Sequence, residues 1–163
     1  MLPDLAGLLM RFRTPAFPLL ADIEKAFLQI ELNERDREVT KFLWLKDVRR
    51  PLTADNLAIF RFKRVAFGII SSPFLLAATI RHHLESCHGP VARELERNTY
   101  VDNILFCCST PEEALNKYRE GKKIFSRAKM NLREFISNSD QVNRAIPNED
   151  KLDTDRPKVL GIP

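Results

Sequence analysis

Apolar positions fall into two rhythms along the chain, one helical and one alternating. Leu5, Leu8 and Leu9 lie at helical spacing and predict a short amphipathic helix over Asp4–Arg13. Leu76, Thr79, Ile80, His83, Leu84 and Cys87 repeat that spacing over Ser72–Cys87, with Pro73 tolerated in the first turn. A third helix is predicted from Thr110 to about Met130. Thr110 supplies the cap, Pro111 the first position and Glu113 the early acid. Its stripe Ala114, Tyr118, Gly121, Phe125 and Ala128 should face a core, with Lys117, Arg119, Lys122, Lys123, Arg127 and Lys129 as a basic outer face.

Between these helices the pattern shortens. Phe17–Ala21 reads as a buried strand ending at Asp22, and Thr40–Lys46 as a second strand, preceded by a short helix that starts at Asn33. Thr53–Asn56 has turn chemistry, and the alternating Phe60, Arg61, Phe62, Lys63 reads as a two-faced hairpin partner. Asn98–Cys108 places Tyr100, Val101, Ile104, Leu105 and Phe106 around the polar pair Asp102-Asn103, which predicts two short strands with that pair at the tip. Asn138–Pro157 is polar and is expected to be irregular, and Lys158–Ile162 reads as a final strand. No internal repeat is visible. Hairpins interleaved with helices predict an α+β fold, a small antiparallel sheet with helices on one face.

Composition narrows the class without naming a function. The chain has 163 residues, 44% hydrophobic and 29% charged, a length suited to one domain with its own core. No apolar run approaches the ~18–20 residues needed to cross a bilayer, so no membrane partner is expected. The stretch from Met1 to Arg13 lacks a basic region ahead of an apolar core and does not read as a signal peptide. Cys87, Cys107 and Cys108 form no C-x-x-C pair, which fits a reducing, intracellular setting better than a disulfide framework. A net charge of +4 is modest, so most of Lys41, Arg61, Lys63 and Arg64 are expected on solvated faces, although each could meet a phosphate.

Two carboxylates carry the candidate chemistry, Asp22 at a strand end and Asp102 at a hairpin tip. In an antiparallel sheet such positions can be neighbours. Mg²⁺ or Mn²⁺ wants oxygen ligands and keeps several waters, so two carboxylates with substrate phosphates suffice for a site. Two such ions would clamp the attacking and leaving oxygens of a phosphoryl transfer. Taken singly, Asp22 reads first as a turn cap and Asp102 as an ordinary hairpin residue, and spacing alone does not overturn that. The run His82, His83, Glu85, Cys87, His88 invites a metal reading, but packing inside the predicted helix is the simpler account.

From Leu19 to Gly161 the chain resembles the palm of a reverse transcriptase, motif after motif and in order. Asp22-Ile23-Glu24-Lys25-Ala26-Phe27 resembles the first catalytic motif, an Asp followed five positions later by an aromatic. Phe67-Gly68 with Ser72-Pro73 resembles the second, usually Gln-Gly with Ser-Pro, and Tyr100-Val101-Asp102-Asn103 resembles the Tyr-x-Asp-Asp hairpin. Asn131-Leu132-Arg133 with Ser137-Asn138, and then Val159-Leu160-Gly161, resemble the motifs that lead into the primer grip. The detail of Asp22–Phe27 and Asn131–Asn138 is most similar to the Pao/BEL class of LTR retrotransposons.

The resemblance implies an RNA-directed DNA polymerase with RNA/DNA template-primer and deoxynucleoside triphosphates as partners, within a Pol polyprotein. Asp22, Asp102 and Asn103 would be the catalytic set, with two divalent ions on Asp22 and Asp102. Phe27 would lie under the sugar and exclude a 2′-OH, and Phe67 and Gly68 would bring backbone close to nucleotide or template. Ser72 and Pro73 would start the helix on the template side, and Tyr100 would pack against the primer end. Ser72-Pro73 is explained equally by a plain helix cap.

Two departures matter. Asn103 replaces the second hairpin aspartate, and Phe67 replaces the usual Gln. Losing one preorganised electrostatic group costs roughly 2.7–4 kcal/mol of transition-state stabilisation. Only 21 residues precede Asp22 and the sequence stops at Pro163, so a single partial palm over residues 1–163 is expected, with fingers and thumb largely missing and activity impaired. The alternative is a non-catalytic retroelement remnant that binds nucleic acid weakly through its basic helix face, or acts as a protein-interaction module.

Overall fold

The computed structural model describes residues 4–153. Helix α1 (Leu5–Phe12) starts at Asp4, whose carboxylate accepts the backbone N–H groups of Ala6 and Gly7, as the spacing of Leu5, Leu8 and Leu9 predicts. Strand β1 (Leu19–Ile23) follows, one or two residues later than expected, so Asp22 lies within the strand rather than after it. A 3-10 turn at Ala26–Gln29 and a longer one at Glu34–Thr40, capped by Asn33, lead to β2 (Lys41–Leu45) and β3 (Leu57–Arg61). Helices α2 (Ser72–Glu85) and α3 (Pro90–Asn98) come next, then β4 (Thr99–Tyr100), β5 (Asn103–Phe106) and α4 (Pro111–Arg127). Strand β6 (Leu132–Ser137) and α5 (Asp140–Ala145) complete the described elements, apart from a 3-10 turn at Asn148–Asp150.

The four-stranded sheet has the order β4-β5-β1-β6, antiparallel throughout, while β2 and β3 form a separate two-stranded sheet. Alternation along β1 and β5 sends Leu19, Ala21, Ile23, Ile104 and Phe106 to one face, against Leu76, Leu84, Leu95, Ile124 and Phe125 from α2, α3 and α4. Leu20 and Leu105 point the other way, where Leu8 of α1 covers them. The expected α+β class therefore holds, with one amendment: a helix lies on each face of the sheet. Asp22, Asn103 and Arg133 share the α1 face by register.

Four sequence expectations are corrected. Helix α3 was not anticipated, because its apolar stripe is only Val91, Ala92 and Leu95 among charged neighbours. Nor was β6, where Leu132 and Phe135 both reach the core despite an odd separation. Glu134 sits at φ +55° and the β1–β6 register shifts between Leu20 and Asp22, so a bulge breaks the period of two that a sequence reading relies on. The expected irregular stretch holds α5, whose Val142 is buried together with Ile146 just after it. Finally, Phe60 and Arg61 lie in the hairpin but Phe62 and Lys63 do not, and Leu43, Trp44, Ile59 and Phe60 are exposed. The loop joining β2 and β3 is organised by buried Asn56. Its carbonyl accepts Asp47 N–H at 3.0 Å and its amide donates to the Asp47 and Pro51 carbonyls, both at 3.0 Å. The expected strand Lys158–Ile162 lies outside the described residues.

The basic face expected of α4 is divided. Lys117 turns inward, its ammonium 2.7 Å from Glu94 and 2.9 Å from Glu113, and Lys122 pairs with buried Asp150. Gly121 is required by packing. A Cβ there would meet the Phe106 ring at 2.9 Å and Leu132 at 3.4 Å, so the glycine lets α4 sit close on the sheet. All three cysteines are free, and burial pushes the Cys108 thiol up to about 12, far from a reactive thiolate.

Candidate active site

β1 and β5 bring the two expected residues to one place. Asp22 is the strand partner of Asn103, and the Ile23 N–H donates to the Asp102 carbonyl at 2.9 Å, which fixes the hairpin turn beside β1. The turn has Val101 and Asp102 at its centre. Val101 adopts φ +57°, a left-handed conformation costly for a β-branched residue, and strain of this kind collects at functional turns. The Asn103 amide donates to Asp102 Oδ1 at 2.9 Å. One carboxylate oxygen of Asp102 is thus engaged by a neutral donor, where the family pattern would place a second negative charge.

Electrostatics mark Asp22 as a carboxylate short of counter-charge. Burial first, then the negative charges of Asp102 and Glu134, raise its pKa to about 7, and the Arg133 guanidinium opposes the rise. Arg133 lies across the β1–β6 ladder from Asp22, but its fork is shared between Glu24 at 3.2 Å and Glu134 at 2.7 Å. Glu24 is held as the ion, below the usual carboxylate range, by the Asn131 amide first and by Arg133. Glu24, Arg133 and Glu134 were not singled out from sequence. Glu24 follows directly on β1, while the register of β6 brings Arg133 and Glu134 to it, and the bulge at Glu134 hides that register from a pattern of alternation.

A pair of partly desolvated carboxylates with a third acid nearby is a donor set of hard oxygens in surplus negative charge. It fits Mg²⁺ or Mn²⁺, which are held by one or two carboxylates together with substrate phosphates. Among the described residues no group of three or more His, Cys, Asp or Glu side chains is placed to hold a metal ion by itself. The His/Cys run on α2 is otherwise engaged: His83 Nε2 is 2.9 Å from the Ile124 carbonyl, and Glu85 pairs with Arg81.

The remaining expected residues form a second group beside this one. Phe27 is only 6% exposed and belongs to the core, with its ring edge-on to Phe67 at 4.8 Å between centroids. Phe67 is 66% exposed, so it, rather than Phe27, presents the accessible aromatic surface. Gly68 follows at φ +81°, with open space where a Cβ would stand. Ser72 is not a cap. It is buried at the start of α2, and its hydroxyl donates to the Ala66 carbonyl at 2.6 Å, tying the Phe67–Gly68 loop to the helix. Pro73 occupies the first turn, as expected. Tyr100 packs on the α1 side, against Leu8, Leu20 and Leu105, on the sheet face shared with Asp22. Of the four cations considered for phosphates, Lys41 and Arg61 both pair with Glu38 and share its single charge, and Arg64 donates to the Gln29 carbonyl.

The sequence matches the family described as reverse transcriptase (RNA-dependent DNA polymerase) over residues 11–134, a span that holds Asp22, the Phe67–Pro73 segment and the Asp102 hairpin. The chain belongs to that family. Among solved structures, the foamy viral protease-reverse transcriptase in complex with an RNA/DNA hybrid is similar to 81% of this chain, with a TM-score of 0.60 and 20% identity. A prototype foamy virus protease-reverse transcriptase mutant is similar to 72%, with a TM-score of 0.53 and 17% identity. This chain spans 16% and 14% of the lengths of those two proteins. No curated protein matches its sequence.

Proposed function

We propose that the chain is the catalytic palm of a retrotransposon reverse transcriptase of the Pao/BEL class, a single partial domain of a Pol polyprotein that acts inside the cell, in the cytoplasm. The observation that carries the reading is the pairing of Asp22 with Asn103 across β1 and β5, with Asp102 in the adjoining turn and its backbone locked to Ile23. Membership of the reverse transcriptase family supports it.

In this reading Asp22 and Asp102 would hold the divalent metal, and Asn103 orients Asp102 through its amide. Two Mg²⁺ or Mn²⁺ ions, when bound, supply Lewis-acid stabilisation of the attacking 3′ oxygen and of the leaving pyrophosphate oxygen. The chain supplies the positions. The Ser72–Ala66 hydrogen bond holds the Phe67–Gly68 loop over Phe27, so the nucleotide meets the Phe67 ring and the backbone at Gly68, with Phe27 as the rigid support behind. Tyr100, fixed by the α1 cluster, flanks the primer end. RNA/DNA template-primer and deoxynucleoside triphosphates are the substrates.

Single-nucleotide primer extension on an RNA template tests this reading, with Mg²⁺ and then Mn²⁺. Extension should rise in Asn103→Asp and vanish in Asp102→Ala. Absence of product from all three folded proteins would overturn the catalytic reading.

A further inference from the structure

On the opposite side of the molecule from Asp22, α4 presents a second charged feature. Arg119, Lys123 and Arg127 are exposed at successive i, i+4 positions and make no salt bridge among the described residues, in contrast to Lys117 and Lys122 on the same helix. With Asn116 they form one wall of a groove of about 580 Å³, and Cys87 and His88 in the turn between α2 and α3 form the other. Arg119 is steadied by the Asn116 side chain, which accepts its guanidinium N–H at 3.2 Å. The acid lining this groove is Glu120, whose carboxylate lies beside Gly89 at the start of α3. From Arg119 to Arg127 the helix rises about 12 Å, so neighbouring cations stand about 6 Å apart along its axis. One strand of a duplex carries a phosphate about every 3.4 Å along the axis, so this row runs beside roughly three to four phosphate steps, with a cation for about every second phosphate. The sheet and the core under α4 separate the groove from the Asp22 face.

We propose that Arg119, Lys123 and Arg127, with His88 across the groove, form a second nucleic-acid contact that takes the phosphate backbone of a strand away from the catalytic face. Three regularly spaced cations that make no salt bridge among the described residues favour a polyanion with regular charge. The choice of nucleic acid rests on the polymerase reading, and the contact is sequence-independent because it reaches only the backbone.

The test is fluorescence anisotropy of a labelled 20-base-pair RNA/DNA hybrid against the full chain, in EDTA, from about 50 to 200 mM KCl. Arg119→Gln/Lys123→Gln/Arg127→Gln should bind about tenfold or more weakly at the low-salt end. Its slope of log K against log salt should be shallower by about 2.7, at 0.9 per lost phosphate contact. A control, Arg13→Gln/Arg35→Gln/Arg49→Gln, removes the same charge from exposed positions elsewhere and should leave both quantities close to the wild type. Equal losses in the two variants, no binding by the wild type, or equal competition by polyglutamate would each overturn the proposal. Asp102→Ala keeps the two readings separable. If it binds the hybrid normally while extension is lost, both stand, and if extension proceeds with no dependence on α4, only the groove fails.

Discussion

Replacing Asp22 with Asn removes the charge that β1, β5 and β6 leave uncompensated, and the size of the effect follows from its surroundings. The carboxyl pKa is raised from 3.8 to about 7 by burial and by the charges of Asp102 and Glu134. A group whose pKa is higher in the folded state favours folding while it is protonated, and that stability is lost as pH rises through the folded-state value. Full linkage over this interval is worth about 4 kcal/mol at 1.36 kcal/mol per tenfold, and discounting for the part of Asp22 that solvent still reaches leaves about 2 kcal/mol. Asn carries no charge at any pH. The Asp22→Asn protein should therefore gain stability over the wild type progressively between about pH 4 and 7, by about 2 kcal/mol at pH 8, with the pH-dependent difference absent below pH 4. Urea melts of both proteins in EDTA at pH 3.5, 5.5 and 8, followed by far-UV circular dichroism, measure the difference directly. A difference that is flat with pH, or that shrinks toward pH 8, would refute the claim that Asp22 is held against its ionisation.

Other perturbations probe the supports of the site. Gly121→Ala should cost about 1–2 kcal/mol in a urea melt, because overpacking against Phe106 and Leu132 outweighs the better helix propensity of Ala. Asp150→Ala strips half-buried Lys122 and the Tyr118 hydroxyl of their shared acceptor and should cost about 2–3 kcal/mol, while Asp150→Asn, which keeps an acceptor, should lose less. Ser72→Ala frees the Phe67–Gly68 loop from α2, and a nucleotide KM raised several-fold with stability lowered by about 1 kcal/mol is the expected pair of results.

Much of this arrangement is legible in the sequence because the elements that carry it have clean periods. The capped start of α4 at Thr110, the Leu76–Leu84 stripe of α2 and the hairpin around Asp102 all form where the spacing of apolar residues and the turn residues place them. Asp22 and Asp102 stand out as polar interruptions at the ends of apolar runs, but it is the ordered resemblance to the reverse transcriptase motifs, not the spacing, that marks them as a candidate pair. What stayed hidden depends on tertiary register. The Glu134 bulge disguises β6, so the Arg133 fork between Glu24 and Glu134 has no linear signature. Burial of Phe27 behind Phe67, and the neutralising of Lys117 and Lys122, likewise depend on neighbours distant in sequence, since Glu94 and Asp150 supply the compensating charge from α3 and from the turn after α5.

The central claim is that Asp22 and Asp102 together form a divalent-ion site weakened by Asn103, and Mn²⁺ binding read by electron paramagnetic resonance tests it most directly. Mn²⁺ should bind the wild type at neutral pH, Asp22→Asn and Asp102→Asn should each lose it, and Asn103→Asp should bind about tenfold or more tightly. One further negative charge about 4 Å from a divalent ion is worth about 2 kcal/mol even at the dielectric of water. Binding that survives in both aspartate variants, or that is indifferent to Asn103→Asp, would contradict the account.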